Sequence, residues 1–129
     1  MTLMSVVTLF SILESPGHPN LSWLYQRLGL QESRFGSMRH ALQALKTRQP
    51  NFIVAEFFYG YGNNYAGVNI SNLDVMLYSL QKYAPQARVI VLVEKDQRQY
   101  VDKLNEILPL YAVLQLPVQE EQIEALLKS

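Results

Sequence analysis

The stretch that decides the fold is "QPNFIVAEFFYG", residues 49–60. Its central part, NFIVAEF (residues 51–57), is apolar at consecutive positions and too short for a long helix, which is typical of a β-strand buried on both faces. Pro50 stands within the stretch and ends any helix that precedes the strand. Burial on both faces predicts a parallel sheet covered by helices, with the acid Glu56 at the carboxyl end of one strand.

The rest of the chain alternates strand and helix patterns in the same way. Three further apolar runs favour strands, and they span residues 5–13, 87–94 and 111–116. The short segment SRF (33–35), between two helical patterns, is assigned to the remaining strand. Five runs with apolar residues at helical spacing span residues 20–28, 37–49, 72–84, 97–108 and 119–129. The expected helix-end signals are Asn20, Ser71 with Asp74, and Asp96 as caps, and Gly29 as a stop. Five strand–helix units predict a single α/β domain, residues 1–129, of flavodoxin-like type: a doubly wound, five-stranded parallel sheet with helices on both faces.

The chain is electrically neutral and contains no cysteine. Eleven basic and 11 acidic residues leave no excess charge to neutralise phosphates, so we expect no nucleic-acid partner. The lack of cysteine excludes disulfides and thiolate chemistry and fits the reducing cytoplasm, where we expect the protein. The apolar start, MTLMSVVTLFSIL, lacks the basic residue and the cleavage site of a signal peptide, and no run is long enough to span a membrane.

The segment ALQALKTRQPNFIVAEF (residues 41–57) resembles the receiver domain of bacterial two-component response regulators. In that family a helix carrying Ala-Leu leads to Pro, an apolar strand and the phosphoacceptor Asp, and Ala41, Leu42 and Pro50 match this pattern. ARVIVLVEKD (87–96) resembles the fourth strand, and YAVLQLPVQEEQIEALLKS (111–129) resembles the last strand, its Pro and the final helix. The resemblance covers nearly the whole chain and implies a signalling role; we expect no enzymatic activity.

The positions that work in receivers are replaced here. Glu56 stands at the phosphoacceptor position, Val93 at the hydroxyl that closes the fourth strand, and Val113 at the switching aromatic. Leu116 replaces the Lys that precedes the retained Pro117. Val93 cannot donate a hydrogen bond and Leu116 cannot offset negative charge, and phosphoryl transfer needs both. We therefore predict a degenerate receiver-like protein–protein interaction module that phosphorylation does not regulate.

Glu56 has three interpretations. It is an acid at a strand end, half-solvated or paired with a cation such as Lys95; or a permanent stand-in for a phosphoaspartate; or a metal ligand. We favour the first, then the second. The third belongs to an alternative function, a small divalent-metal- or ligand-binding enzyme-like protein, in which Glu14, Glu56 and Glu94 at neighbouring strand ends hold Mg²⁺. Polar residues simply resume where strands end, so we expect no cofactor.

The surface residues point to a protein partner. The loop FFYGYGNNYAGVNI (57–70) carries tyrosines among Gly and Asn, a mixture that suits either recognition or a self-packed loop. In receivers the last two helices dock dimers and outputs, so a homodimer is one expected form. The candidate interaction residues are Tyr59, Tyr61, Tyr65 and Tyr100. Neither His18 nor His40 has the neighbours of a catalytic histidine, and we expect both to be solvated or hydrogen-bonded.

Overall fold

The computed structural model of the chain describes residues 6–16, 19–60 and 71–128. Within these ranges the strands are β1 (Thr8–Ile12), β2 (Gln31–Phe35), β3 (Phe52–Glu56), β4 (Arg88–Val93) and β5 (Ala112–Gln115). The helices are α1 (Ser22–Arg27), α2 (Met38–Leu45), α3 (Asp74–Tyr83), α4 (Arg98–Val101) and α5 (Glu120–Lys128). Strand and helix alternate along the chain, as the sequence predicts.

All neighbouring strands pair in parallel, in the order β2-β1-β3-β4-β5. The central strand is β3, whose Val54 pairs with Ser11 of β1 on one side and with Ile90 of β4 on the other. The chain runs outward from β1 to β2 in one direction and from β3 to β5 in the other. The prediction of an α/β, doubly wound, flavodoxin-like sheet is therefore confirmed, and its crevice lies at the carboxyl ends of β1 and β3.

Two apolar layers cover the two faces of the sheet. Alternate residues of β3 serve different layers: Ile53 and Ala55 face α2, α3 and α4, whereas Phe52 and Val54 face α1 and α5. Every β3 side chain is buried. This explains why NFIVAEF is apolar at successive positions, because a strand with helices on both faces has no solvent side.

Local hydrogen bonds define several helix ends. The backbone N–H of Ser22 donates to Oδ1 of Asn20 at 3.1 Å, so Asn20 supports the first turn of α1 from one position before the helix end. The N-cap residue is Leu21, which makes no side-chain cap bond, so the predicted Asn20 cap is wrong by one residue. Gly29 follows α1 with φ of 80°, a conformation that favours glycine. The backbone N–H and the hydroxyl of Ser71 donate to Oδ1 of Asp74 at 2.8 and 2.9 Å, and these bonds close the turn before α3. The N-cap residue of α3 is Leu73, which makes no side-chain cap bond, so the predicted cap by Ser71 lies two residues too early.

The fourth helix differs from its prediction. The single helix expected over residues 97–108 is wrong: α4 has only four residues and is flanked by 3₁₀ turns at Lys95–Gln97 and Asp102–Glu106. The side chain of Asn105 donates to the carbonyl of Asp102 at 3.1 Å and accepts from the N–H of Leu110 at 2.8 Å. These bonds compete with the α-helical ladder. The predicted Asp96 cap is also wrong, because no side chain caps α4.

Other boundaries move by a few residues. The second strand begins at Gln31 instead of residue 33, and α2 ends at Leu45, four residues before the predicted end. Its last turn tightens, since Lys46 N–H donates to the carbonyl of Gln43 at 3.2 Å. In the described ranges no helix has the length and apolar character that crossing a membrane requires.

Candidate functional site

The carboxylate of Glu56 is buried beneath the loop that joins β1 to α1. The residue is only 2% exposed. Its Oε1 accepts hydrogen bonds from the backbone N–H groups of Glu14 at 3.2 Å and Ser15 at 3.1 Å, and its Oε2 accepts one from the Ser15 hydroxyl. The expectation of an acid that is half-solvated or paired with a cation such as Lys95 is wrong, because the side chain is buried and accepts hydrogen bonds from this loop.

Asn72 joins this loop to the segment that follows β3. Its Nδ2 donates to Oε1 of Glu14 at 2.7 Å and to the backbone carbonyl of Glu56 at 2.8 Å. Its Oδ1 accepts from the N–H of Phe58 at 2.7 Å, and the backbone N–H of Asn72 donates to the Phe58 carbonyl at 3.3 Å. One 8% exposed side chain thus ties together β1, β3 and the start of α3.

The pKa of Glu14 lies above its ordinary value. Burial is the main cause, and the nearby charge of Glu56 adds to it, while the hydrogen bond from Asn72 acts in the opposite direction. The two carboxylates therefore repel each other across a shared loop. The donors from this loop and from Asn72 offset part of that repulsion, which makes the loop geometry depend on both acids.

Beside these acids the surface opens into a cleft of about 440 Å³, and one of the residues in its wall, Tyr59, stacks on Tyr100. The rings of Tyr59 and Tyr100 lie 3.8 Å apart between centroids at an angle of 17°. The N–H of Tyr59 donates to Oε1 of Gln97 at 3.0 Å. The cleft is lined by Glu14, Ser15, Phe58, Tyr59, Gly60 and Gln97. Both contacts fix the end of β3 against the α4 region.

The three replaced receiver positions lie in apolar surroundings. Val93 is fully buried in the layer of α2, α3 and α4, and Val113 packs against the same layer. Leu116 packs against the other layer, and its N–H donates to the Val93 carbonyl at 2.8 Å. The Leu116–Pro117 peptide bond is cis. Neither a hydroxyl donor nor an ammonium group reaches the Glu56 carboxylate from these positions.

The proposed set of three glutamates does not assemble. Glu14 and Glu56 are neighbours, but Glu94 is exposed and precedes the 3₁₀ turn at residues 95–97. Within residues 6–16, 19–60 and 71–128, no group of three or more His, Asp or Glu side chains is placed to hold a metal ion. The alternative of a divalent-metal site built from these acids therefore has no structural support in the described part of the chain.

Some predicted residues cannot be placed. Tyr61, Tyr65 and His18 lie outside the described residues. His40 is exposed, and its Nδ1 lies 3.2 Å from the Ser37 hydroxyl at the start of α2, an ordinary helix-end contact.

Three residues of the site were missed by the sequence reasoning: Ser15, Asn72 and Gln97. All three act through hydrogen bonds to groups distant in sequence. The one signal that could have found Asn72 is its position beside the hydrogen-bonded pair of Ser71 and Asp74, where an amide has backbone groups within reach.

Comparison of the sequence with protein-family models and with curated proteins finds no match. Solved structures do match. A response regulator from Burkholderia pseudomallei, with a phosphorylated aspartic acid, calcium and citrate, superposes with a TM-score of 0.69 at 20% identity, over 94% of this chain and 66% of that one. A CheY-like receiver domain from Methanospirillum hungatei gives 0.70 at 9% identity, over 96% and 92%.

The chain has the receiver fold. The similarity also extends to an adenylate cyclase structure from Rhodopirellula baltica, with a TM-score of 0.71 at 12% identity over 96% of this chain and 86% of that one. Identities this low establish the shared architecture alone. What the site does must therefore be argued from its own contacts.

Those contacts suit holding loops together better than transferring a group. Phosphoryl transfer requires an open acceptor oxygen, a metal ion, and donors or cations around the transferred group. Here both oxygens of Glu56 already accept hydrogen bonds from the β1–α1 loop. The carboxylate acts as an anchor for that loop.

Proposed function

We propose that the chain is a receiver-like protein–protein interaction module in bacterial signal transduction, held in one conformation without phosphorylation. The observation that carries the proposal is the Glu56 carboxylate, which is 2% exposed and bonded to Glu14 and Ser15. A covalent modification there would first have to break these bonds. At the position where a receiver is phosphorylated, this chain carries a carboxyl group whose two oxygens already accept hydrogen bonds from within the protein.

The proposed mechanism passes the position of Glu56 to the surface through direct contacts. Asn72 bonds both to the Glu56 carbonyl and to the Phe58 N–H. The next residue, Tyr59, is held by Gln97 and by stacking on Tyr100. A series of covalent and hydrogen bonds therefore runs from Glu56 to the α4 region, and these contacts favour the one arrangement of the loop that the structure shows.

The partner is proposed to bind the patch formed by Tyr59 and Tyr100, and Tyr61 and Tyr65, which lie outside the described residues, stay candidate contact residues. Tyr59 is 49% exposed although its ring is stacked and its backbone is hydrogen-bonded. Rigid, exposed aromatic area is the feature that most often dominates binding energy in protein interfaces. A chain without cysteine fits the cytoplasm, where we propose that the module acts. A second copy of the chain remains one form of the partner.

The first test exposes the protein to Mg²⁺ with acetyl phosphate or beryllofluoride. We expect no phosphoryl adduct by mass spectrometry and no backbone amide shifts around Glu56. A phosphorylatable receiver domain treated in parallel verifies the reagents. Formation of an acyl phosphate on the wild-type chain would refute the proposal. Titration with Mg²⁺ alone should leave Tm unchanged, because a ligand that binds only the folded state must raise it.

The variant Glu56→Asp tests whether the residue at position 56 or the residues around it prevent phosphorylation. Aspartate is one methylene, about 1.5 Å, shorter, so the bonds to Glu14 and Ser15 lengthen beyond hydrogen-bond range. We expect this variant to be less stable and still not phosphorylated, because Val93 and Leu116 supply no donor or cation. Phosphorylation of Glu56→Asp would show that the substitution at residue 56 alone disables the site.

The second test captures partners from the native cell with wild-type protein and with a Tyr59→Ala, Tyr100→Ala variant. We expect the double substitution to abolish specific capture. Tyr78→Ala serves as the matched control, since Tyr78 is 54% exposed but lies on α3 outside the patch. Equal loss of capture with Tyr78→Ala, or unchanged capture with the double variant, would place the interface elsewhere.

A further inference from the structure

The chain has no net charge, but an excess of cations and an excess of acids occur in two different parts of the sequence. All Lys, Arg, Asp and Glu residues lie in the described ranges, so their distribution is complete. Residues 31–56, which include β2, α2 and β3, contain four cations and two acids, Glu32 and Glu56. Glu32 accepts hydrogen bonds from the hydroxyls of Ser11 and Ser22, and Glu56 is buried, so the exposed charges of this span are the four cations. We call this side the basic edge, and its cations are Arg34, Arg39, Lys46 and Arg48. It lies at one end of the sheet because β2 is a terminal strand.

The other end of the sheet is acidic. Residues 94–128, which include α4, β5 and α5, contain seven acids and four cations. We call this side the acidic edge, and three of its exposed acids are Glu106, Glu120 and Glu121. Because β5 is the terminal strand opposite β2, the two edges face away from each other in one molecule. Although the net charge is zero, positive and negative charges are unevenly distributed over the surface.

The four cations of the basic edge are exposed to solvent. Arg39 and Lys46 are seven residues apart on α2 and at its end, so they share one exposed stripe of that helix. Arg48 is held by a hydrogen bond to Ser33 of β2 and lies 4.9 Å from the Phe10 ring centroid. Arg34 on β2 extends the edge, and within the described residues Arg34, Arg39 and Lys46 form no ion pair.

The acidic edge is only partly neutralised by its own cations. Asp102 pairs with Arg98 at 3.4 Å, and Glu124 pairs with Arg27 at 2.8 Å and with Lys128 at 3.3 Å. In the part of the chain that the structure describes, Glu106, Glu120 and Glu121 form no such pair. Both edges therefore present charges whose complement lies on the opposite side of the molecule.

We propose that the basic edge binds the acidic edge of a second copy of this chain, head to tail. Charge complementarity favours this partner, because the basic edge of one copy meets a surface of opposite sign on the next copy, whereas a chain with no net charge does not attract a nucleic acid as a whole. Contact between two different surfaces is heterologous, so each added copy leaves one basic and one acidic edge free. The inference does not depend on the state of Glu56.

The test measures self-association by sedimentation velocity over a range of protein concentrations. At about 0.01 M ionic strength, where the Debye length is about 30 Å, we expect species larger than a dimer. At about 1 M, where it is about 3 Å, we expect monomer. Wild-type protein that stays monomeric at low ionic strength, or that forms a salt-resistant dimer and nothing larger, would overturn the proposal.

A charge swap identifies the surfaces. The variants Arg39→Glu with Lys46→Glu, and Glu120→Lys with Glu121→Lys, should each remain monomeric at low ionic strength. Their equimolar mixture should associate, because each basic edge again meets an acidic one. Circular dichroism and thermal melts establish that both variants fold. Failure of the mixture to associate although each variant is folded would contradict the assignment of the edges.

A matched single substitution controls for net charge. Arg39→Glu and Lys82→Glu give the same net charge, but Lys82 lies on α3, outside both edges. We expect Arg39→Glu to weaken association at least tenfold and Lys82→Glu to leave it nearly unchanged. Equal weakening by both would indicate a general charge effect and overturn the proposal. Duplex DNA binding by monomeric wild-type protein, lost in the Arg39→Glu, Lys46→Glu variant, would also overturn it.

Discussion

Replacing Asn72 by alanine should destabilise the protein more than any other single polar substitution at the site. The change removes three side-chain hydrogen bonds, to the Glu14 carboxylate, the Glu56 carbonyl and the Phe58 N–H. Each neutral bond contributes about 1 kcal/mol and the bond to a carboxylate about 1.5–3 kcal/mol. Water entering from the nearby cleft replaces part of this, so we expect a loss of about 3 kcal/mol in the free energy of unfolding.

This loss corresponds to a large change in melting temperature. With an unfolding entropy of about 2.1 cal/mol/K per residue, 129 residues give a decrease in Tm of about 11 °C. Urea unfolding provides the free energy directly, and the midpoint should fall while the m-value stays constant. Amide spectra should show the largest shifts in the β1–α1 loop and at Tyr59.

Asn105→Ala is the matched control for this prediction. Asn105 also makes two side-chain hydrogen bonds to backbone groups, but it is exposed and lies outside the site. We expect it to lose about 1 kcal/mol. If Asn72→Ala proves no more destabilising than Asn105→Ala, then Asn72 does not hold the loops together, and the proposed series of bonds from Glu56 to the surface loses its central member.

Three further predictions address the acids, the aromatic pair and the core. Glu14→Gln should stabilise the protein at neutral pH. The pKa of Glu14 is raised above 4.5 in the folded state, so ionisation of this carboxyl lowers the free energy of unfolding of the wild-type protein. The difference in stability between the variant and the wild type should shrink as the pH falls through that raised pKa toward 4.5. Urea titrations across this range measure the effect, and a pH-independent difference would contradict it. Alanine substitutions of Tyr59 and Tyr100 should show a coupling energy of about 0.5–1.5 kcal/mol in a double-mutant cycle, whereas additive losses would mean that the stacked rings do not stabilise each other. Val93→Thr should lower stability by about 1–3 kcal/mol, because it places a hydroxyl in a fully buried apolar layer; a neutral result would show that the added hydroxyl finds a partner.

Much of the fold was predictable because the spacing of apolar residues along the chain indicates strands and helices. The consecutive apolar residues FIVA (52–55) are typical of a strand whose two faces are both covered, and the helices show their buried sides as apolar residues at regular spacing. The fourth helix was the exception. Its apolar residues have helical spacing, but the amide of Asn105 bonds to nearby backbone groups and competes with the backbone hydrogen bonds of an α-helix. The spacing of apolar residues gives no information about such side-chain bonds.

Some features of the site could likewise be predicted from the sequence, and others could not. The sequence by itself determined which side chains are present: a glutamate at the end of a strand, and the apolar residues Val93 and Leu116 at the positions where receivers carry a hydroxyl and an ammonium group. Only the tertiary structure decided that Glu56 is buried and bonded to Ser15, that Asn72 joins three segments, and that Glu94 lies apart from the other two acids. The physical reason is that a carboxylate's partners here come from residues about 40 positions away, brought close by strand pairing, and a hydrogen bond depends on distance in space and not along the chain.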